Sequence, residues 1–480
     1  MISLKISIIE NNISHLFLVL NMFKVKFIII ILIILLTFNV VAQEIHEENY
    51  NDLQSLIIKV EISGDIESVK TNPGSIFKKL NANLALFPRQ DERQQIISLG
   101  LSSTPTSKIV REDVISYEWE ELSDKFNFDL KSNVKTSNIF YKVPRLKFPI
   151  TNLDEDIKKY AEPTEYIDIN QDIINKASEI VEGETDLFTA VFKIADWTKK
   201  NIEYDLNTLT AEVVQKSTWV LENKVGVCDE MTSLFISMLR AVGIPARFVT
   251  GMVYTNLNYE WGAHGWAEVY FPEVGWVPFD VTFGQYSWID PSHVKLADNF
   301  DSKDPAVRYL WESRNIDMKI QPLNIKTNLV SKSNKINSVF EMQAEALANK
   351  VGPGSYVPVQ VTITNPNDYF LSSSLTVITA PELLGNNFRE ILLKPKQQKS
   401  IFWIVKIPEE IDETYLYKTK FKIIDLFGSE SSDDIEYASI YNINTLEDAE
   451  SVIKILSEEE EKTYSIDLKL NCNTIKSYYY

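Results

Sequence analysis

The feature that most constrains this chain is a helical stripe followed at once by three strand-like segments. From Met231, apolar residues recur at offsets of 0, 3, 4, 7, 8 and 11, the spacing of one buried helix face. Gly243 and Pro245 then end the helix, as glycine just past a helix and proline shortly after it commonly do. The segments that follow read ARFVTGMVY, HGWAEVYF and WVPFDVT. Helices followed by strands of this kind predict an α+β domain with an antiparallel sheet.

Two further helices are predicted before this stripe. Apolar residues between Ile173 and Val181 have helical spacing, and Gly183 follows as a stop signal. The segment Asp186–Lys200 repeats the same period, and the third helix is expected to begin at Cys228. We assign residues 151–300 to this central domain.

A β-rich region is predicted before the central domain. Ile58, Val60 and Ile62 alternate with polar residues, which is the period of a half-buried strand. The runs NANLALFP and NIFYKVPRLKFPI also look like strands. We therefore expect an N-terminal β domain over residues 43–150.

A second β-rich region is predicted after it, over residues 325–444. Alternation in the segment 357–363 indicates a strand, and Pro358 within it favours an edge position, because proline cannot donate a ladder hydrogen bond. Several short strands separated by turn signals are typical of an immunoglobulin-like β-sandwich. Residues 445–480 are expected to form an acidic tail. The predicted fold class is thus multidomain α+β.

Length and charge narrow the class of protein. A chain of 480 residues is too long for one hydrophobic core. The formal net charge of −19 argues against a nucleic-acid partner, because phosphate binding needs a basic face. The sequence does not indicate an oligomeric state.

The N-terminus has the pattern of an export signal. Lys24 and Lys26 precede an apolar run over 27–38, and small residues precede a cleavage position after Ala42. We expect residues 1–42 to be a leader that places the protein outside the cytoplasm, either secreted or held at the cell envelope. The run is short for a membrane-spanning helix, yet an uncleaved anchor stays open, as does a start at Met22. No other segment is long and apolar enough to span a bilayer.

Cys228 is the first candidate for chemistry. The sequence contains only one other cysteine, Cys472, so a disulfide framework is excluded. Cys228 begins the predicted third helix and extends its apolar stripe. Helix N-termini stabilise a thiolate, whereas the adjacent Asp229 and Glu230 oppose it, so a cationic partner is needed to activate the sulfur. The alternative is an inert, buried cysteine.

The partner residues come from the next two strands. His264 opens the strand HGWAEVYF, and Asp280 lies in WVPFDVT. A five-residue connection over 271–275 places Asp280 opposite Trp266 and diagonal to His264, within reach of a hydrogen bond. The spacing therefore permits a nucleophile, a base and an orienting acid. His293 is expected to have a structural role.

These residues also carry a family resemblance. The blocks GVCDEMTSLFISMLRAVGIPARFVTG, HGWAEVYF and GWVPFDVTFGQ resemble the core of transglutaminase-like, papain-fold proteins of archaeal and bacterial type over about Leu187–Asp290. The resemblance implies Cys228 as nucleophile, His264 as base and Asp280 as the residue that orients the imidazole. The sequence departs from the commoner HAW at Gly265, where we expect little effect because this residue lies on the face opposite His264.

The activity implied is acyl transfer at amide bonds of a protein or peptide substrate. Hydrolysis would make the protein a peptidase or amidase, and transfer to an amine would make it a transglutaminase; hydrolysis is favoured by analogy alone. Trp219 could help to bind an oxyanion, and Trp266 could line the cleft, although both residue types more often pack in cores. No cofactor or metal is expected. The competing hypothesis is a non-catalytic surface module built on the same fold.

Overall fold

The structure describes most of the chain after the predicted leader. The structure is a computed structural model, and it describes residues 50–206, 214–255 and 259–460. The predicted leader, 1–42, lies outside the described residues, as do Cys472 and the part of the predicted acidic tail over 461–480.

The N-terminal strands pack face to face around one apolar cluster. Ile58, Val60 and Ile62 are buried in β1, which confirms the predicted strand. One sheet has the order β15-β1-β6-β3, with β16 also paired to β1, and the other has the order β14-β2-β5-β4. The strands are β1 (Ser55–Lys70), β2 (Ile76–Leu84), β3 (Gln94–Thr104), β4 (Lys108–Arg111), β5 (Ile115–Trp119), β6 (Lys125–Ser137), β14 (Val307–Arg314), β15 (Ile316–Ile320) and β16 (Asn324–Lys332).

Three of these strands come from the sequence that follows the central region. Residues 325–332 were expected in the C-terminal sandwich, but β16 pairs with β1, placing Ile325 opposite Ile62 and Lys332 opposite Leu56. Alternation predicted the strand correctly, but it carries no information about which sheet the strand joins.

The segment 138–150 is not a strand, contrary to the prediction. It runs without a ladder except for one isolated bridge between Lys147 and Asp186. Its two prolines cannot donate ladder hydrogen bonds, and Val143 and Phe148 pack into the central core instead. The segment is therefore an apolar connection rather than part of a sheet.

The central region begins with helices that have clear local start and stop signals. Asp186 caps its helix by accepting a hydrogen bond from the Thr189 N–H at 2.8 Å. At the end of the Cys228 helix, Gly243 has φ +77°, and the N–H groups of Gly243 and Ile244 close a Schellman motif. The helices are α1 (Glu155–Lys158), a 3₁₀ turn (Lys159–Ala161), α2 (Gln171–Ile180), α3 (Leu187–Asn201), α4 (Ser217–Asn223) and α5 (Cys228–Ala241).

The helix α5 packs on a five-stranded antiparallel sheet of order β12-β11-β10-β9-β13. Its buried residues include the first five positions of the predicted stripe, from Met231 to Leu239, whereas the sixth, Val242, is only partly buried. A short parallel pair, β7 with β8, holds the chain just before α5. The strands are β7 (Glu203–Tyr204), β8 (Val225–Gly226), β9 (Ala246–Thr255), β10 (Glu260–Phe271), β11 (Gly275–Asp280), β12 (Gln285–Tyr286) and β13 (Val294–Asn299).

The C-terminal strands form two more sheets around a third apolar cluster, with orders β17-β19-β23-β21 and β18-β25-β24-β20-β22. Residues 446–460 then form a helix. The immunoglobulin-like connectivity stays a prediction. The strands are β17 (Glu341–Ala346), β18 (Lys350–Val351), β19 (Tyr356–Thr364), β20 (Leu371–Thr379), β21 (Glu382–Leu384), β22 (Phe388–Leu393), β23 (Gln398–Lys406), β24 (Tyr417–Asp425) and β25 (Glu430–Tyr437).

The strand that contains Pro358 is not at an edge, so that prediction is wrong. It is β19, which lies between β17 and β23. The carbonyl of Pro358 accepts the Leu347 N–H at 2.9 Å, one position beyond the last residue of β17. Pro358 therefore lacks its N–H group at the end of the ladder between β17 and β19. A missing donor there removes no hydrogen bond from within the ladder.

Each of the three apolar clusters includes residues from a neighbouring region of the sequence. Met252 and Val294 of the central sheet pack into the N-terminal cluster, and Trp288 packs into the C-terminal one. In the opposite direction, Phe370 of the C-terminal region is fully buried in the central core. Within the described part of the chain, no helix combines the length and the apolar character needed to cross a membrane.

Candidate active site

Cys228 is the first residue of α5 and lies at the wall of a cavity. Val227 before it has extended backbone, and its N–H donates to Glu230 Oε2 at 3.1 Å, which holds the start of the helix. The cavity has a volume of about 640 Å³ and is also lined by His264. Most of its other described lining is apolar and includes Ile202, Met231, Val253, Ala263 and Phe283.

His264 and Asp280 meet as the strand register predicted. Phe271 pairs with Gly275 and Ala267 with Phe279, so Asp280 at the end of β11 is diagonal to His264. His264 Nε2 lies 2.6 Å from Asp280 Oδ2. A carboxylate can only accept here, so Nε2 carries the proton, and Nδ1 takes no part in this contact.

Asp280 is completely buried and has two further backbone donors. Its Oδ1 accepts the N–H groups of Thr282 at 2.8 Å and Phe283 at 2.9 Å. Burial alone would raise the pKa of Asp280, but the charge and hydrogen bonds of His264, and then those of His293, hold it well below its usual value. Asp280 is therefore an anion that keeps the His264 ring in one orientation.

These observations agree with the comparison to known families. Residues 174–281 match the family model of the transglutaminase-like superfamily. This chain carries a transglutaminase-like core.

Individual relatives match only parts of the chain. The uncharacterized protein YebA of Bacillus subtilis is 31% identical over 144 residues, which is 26% of this chain and 19% of YebA. A protein-glutamine gamma-glutamyltransferase of Pseudomonas aeruginosa is 33% identical over 73 residues, 14% of this chain and 11% of that protein. The chain thus spans less than a fifth of the length of either relative. A solved structure of a candidate cysteine protease from Cytophaga hutchinsonii has 18% identity and a TM-score of 0.42, covering 58% of this chain and 91% of that one.

A second histidine, His293, contacts Asp280 from beyond the matched residues. The sequence predicted a structural role for His293 but not this contact. His293 Nε2 lies 3.0 Å from Asp280 Oδ2, and His293 Nδ1 lies 3.2 Å from Asp290 Oδ2. Burial would lower the pKa of His293, but Asp290 and then Asp280 raise it to about 9. An aspartate three residues before a histidine, as in DPSH, is the only local signal of this pair.

The two tryptophans proposed for the cleft lie elsewhere. Trp266 is buried behind the histidines, stacked on His264 with ring centroids 6.1 Å apart and edge-on to His293 at 5.3 Å. Trp219 of α4 lines a different surface cavity, together with residues of α2. Neither indole is among the described residues that line the cavity of Cys228, so neither is placed to bind an oxyanion there.

The thiol is in a setting that favours its neutral form. Burial raises the pKa of Cys228 well above its usual value, and the charge of Asp229 raises it further, while a backbone hydrogen bond from Gly265 has the opposite effect. Burial and the neighbouring acid therefore act together against a thiolate at Cys228.

Among the described residues, one group could supply ligand atoms to a metal ion. The ligand atoms of His264, Asp280 and His293 lie within 4.8 Å of one another. Asp280 Oδ2 already accepts from both imidazoles, and His293 is held on its other side by Asp290. A cation would have to replace these short hydrogen bonds in a fully buried space. We interpret the group as a hydrogen-bond network that supports the transglutaminase-like core.

Proposed function

We propose that this protein is a thiol-dependent enzyme that transfers acyl groups at amide bonds, with Cys228 as nucleophile, His264 as base and Asp280 as the orienting acid. The observation that supports this most directly is the 2.6 Å hydrogen bond between His264 and Asp280 at the cavity that Cys228 also lines. The residue types and their order match those of nucleophilic triads.

The proposed reaction starts with a proton transfer from Cys228 Sγ to His264 Nδ1. The thiolate attacks the amide carbonyl, whose oxygen becomes an oxyanion. The oxyanion accepts a hydrogen bond from the backbone N–H of Cys228, the first residue of α5. The C–N bond then breaks, and the leaving amine takes its proton from His264. A thioester between the substrate and Cys228 remains.

The second half of the reaction decides the class of enzyme. Attack by water regenerates the thiol and releases an acid, as in a peptidase or amidase. Attack by a primary amine forms a new amide, as in a transglutaminase. We favour hydrolysis, by analogy with microbial relatives of this core.

The test uses a peptide library with and without a primary amine, followed by mass spectrometry of the protein and the peptides. We expect an acyl adduct on Cys228 and either cleaved or amine-modified peptides. Cys228→Ala should abolish both, and His264→Ala should reduce turnover by at least about 100-fold, the low end of a general-base contribution. Cys472→Ser, which removes the other thiol, is the matched control and should retain activity.

The competing function is a non-catalytic surface module. It would be supported if no peptide in the library formed an acyl adduct on Cys228 and if none was cleaved or modified by the amine. Adduct formation on Cys228 therefore separates the two functions.

We also propose that the enzyme works outside the cytoplasm. The support is the basic, apolar and small-residue pattern over 24–42. Mapping the N-terminus of the protein isolated from its host tests this. A start at Gln43 would indicate a cleaved leader, an intact 27–38 segment in the membrane fraction would indicate an anchor, and an intact segment in the cytosolic fraction would refute export.

A further inference from the structure

A carboxyl group lies directly beside the candidate nucleophile. Cys228 Sγ donates to Asp229 Oδ1 at 3.6 Å. Asp229 is the second residue of α5, a position where acidic side chains commonly face solvent and the free N–H groups of the helix. Here the side chain is partly buried and faces the thiol. Asp229 is therefore more than a favourable residue for starting a helix.

Gly265 provides the space that this carboxyl group occupies. A Cβ atom at position 265 would lie 2.6 Å from Asp229 Oδ1 and 2.4 Å from the Phe248 ring. Contacts this short essentially never occur at a real Cβ atom, so alanine at 265 would force both the carboxyl group and the ring to move. We therefore expect alanine at 265 to change this site, contrary to the expectation from the sequence that Gly265 has little effect. The residue faces away from His264, but it faces Asp229.

Four charged or titratable side chains face this thiol and carboxyl pair, namely Lys199 of α3, Tyr204 of β7, His264 of β10 and Asp280 of β11. Glu230 of α5 is turned away, since its carboxylate accepts the N–H groups of Val227 at 3.1 Å and Gln215 at 3.3 Å. Burial and then Glu230 raise the pKa of Asp229, and His264 lowers it.

We propose that Asp229, in the space left by Gly265, is a positioning residue that holds Cys228 as a neutral thiol until the proton passes to His264. This inference rests on the proposed function of Cys228 as the nucleophile. An S–H group that donates to a carboxyl oxygen is fixed in direction, and a carboxylate at this distance opposes a negative charge on sulfur. The free enzyme thus contains Cys228 as a thiol rather than as a thiolate.

The test is the rate of Cys228 alkylation by iodoacetamide as a function of pH, measured in a Cys472→Ser background. We expect Asp229→Asn to move the pH midpoint down by at least about one unit, which is about a tenfold faster reaction at pH 7. Asp172→Asn is the matched control, because Asp172 is also the second residue of a helix but is exposed on α2. It should leave the midpoint unchanged. An Asp229→Asn midpoint equal to that of the parent protein would overturn the proposal.

Two further variants keep the test decisive. If Asp229→Asn does not fold, Asp229→Ser removes the same charge with a smaller polar side chain, and the same shift is expected. Gly265→Ala should also lower the midpoint, because it displaces the carboxyl group from the sulfur. An unchanged midpoint in a folded Gly265→Ala protein would contradict the role of Gly265.

The alkylation readout also separates this inference from the proposed function. Alkylation does not require turnover, so a shifted midpoint in a protein that never forms an acyl adduct would support the role of Asp229 and refute the enzyme. An active protein whose midpoint is unchanged by Asp229→Asn would support the proposed function and overturn the role of Asp229.

Discussion

His293 helps to stabilise the buried carboxylate of Asp280. Asp280 has no exposure to water, and a charge in such a place is costly unless it is fully hydrogen-bonded. Two imidazoles and two backbone N–H groups meet that need. His293 is in turn held between Asp280 and Asp290, so the ring of His264 is positioned through a chain of buried ionic contacts.

This arrangement predicts a pH-dependent stability. The pKa of His293 rises from 6.5 to about 9 on folding, so its contribution is fully present below pH 6.5 and is lost as the pH rises through 9. We expect His293→Gln to lower the free energy of unfolding by about 3–5 kcal/mol near pH 6, because two buried carboxylates lose their cation. The deficit should shrink by about 3 kcal/mol by pH 10. Urea unfolding at several pH values measures both effects.

The control for this prediction is Lys158→Gln, which removes a cation from an exposed ion pair with Glu155. It should change stability by less than about 1 kcal/mol at any pH. A His293→Gln deficit that stays constant from pH 6 to pH 10 would contradict a charged His293.

At the scale of elements, the start of α5 depends on one side chain. The carboxylate of Glu230 is buried and accepts the N–H groups of Val227 and Gln215, so it joins the helix to the chain that leads into it. Gly226 lies directly against the base of the Glu230 side chain, because a Cβ atom at 226 would be 2.7 Å from Glu230 Cβ. The position of Cys228 is thus set by contacts on both sides of the helix start.

Glu230→Ala should therefore destabilise the protein and displace the thiol. We expect a loss of about 1–3 kcal/mol, because two N–H groups lose their partner. The free energy of unfolding in urea measures this loss. Glu222→Ala, at an exposed position of α4, is the control and should change stability by less than about 0.5 kcal/mol. Equal stabilities of the two variants would show that the cap at α5 is dispensable.

At the scale of the whole molecule, the β-rich regions are bound to the central core by individual side chains. Phe370 comes from the C-terminal region, yet it is fully buried against α3, where it stacks on Phe188 with ring centroids 4.7 Å apart. Trp288 makes the reverse connection into the C-terminal cluster. The described chain from Tyr50 onward accordingly forms one compact unit.

Phe370→Ala should weaken the central core even though the residue lies outside it in sequence. We expect a loss of about 3–5 kcal/mol, the usual cost of deleting a buried aromatic ring. Unfolding followed by tryptophan fluorescence should show the loss in the transition that exposes the core. Tyr415→Ala, at a side chain that is 62% exposed, serves as the control and should change stability by less than about 0.5 kcal/mol. A core transition unaffected by Phe370→Ala would mean that the two regions unfold independently.

Features that depend on neighbouring residues could be predicted from the sequence. The helix that begins at Cys228 and ends before Gly243 was predicted from a helical period and two stop signals. The diagonal contact of His264 with Asp280 was predicted because strands have a period of two and the connection between them is short. Local periodicity and the length of a turn can be read from the order of residues alone.

The sequence by itself thus determined the three longest helices of the central region, several of the strands, and the meeting of His264 with Asp280. Only the tertiary structure decided that 324–332 completes an N-terminal sheet, that His293 reaches Asp280, and that Asp229 lies in the space left by Gly265. The physical reason is that these three contacts depend on which surfaces pack together and how closely. Periodicity along the chain places a side chain on a face, but it does not say what that face meets.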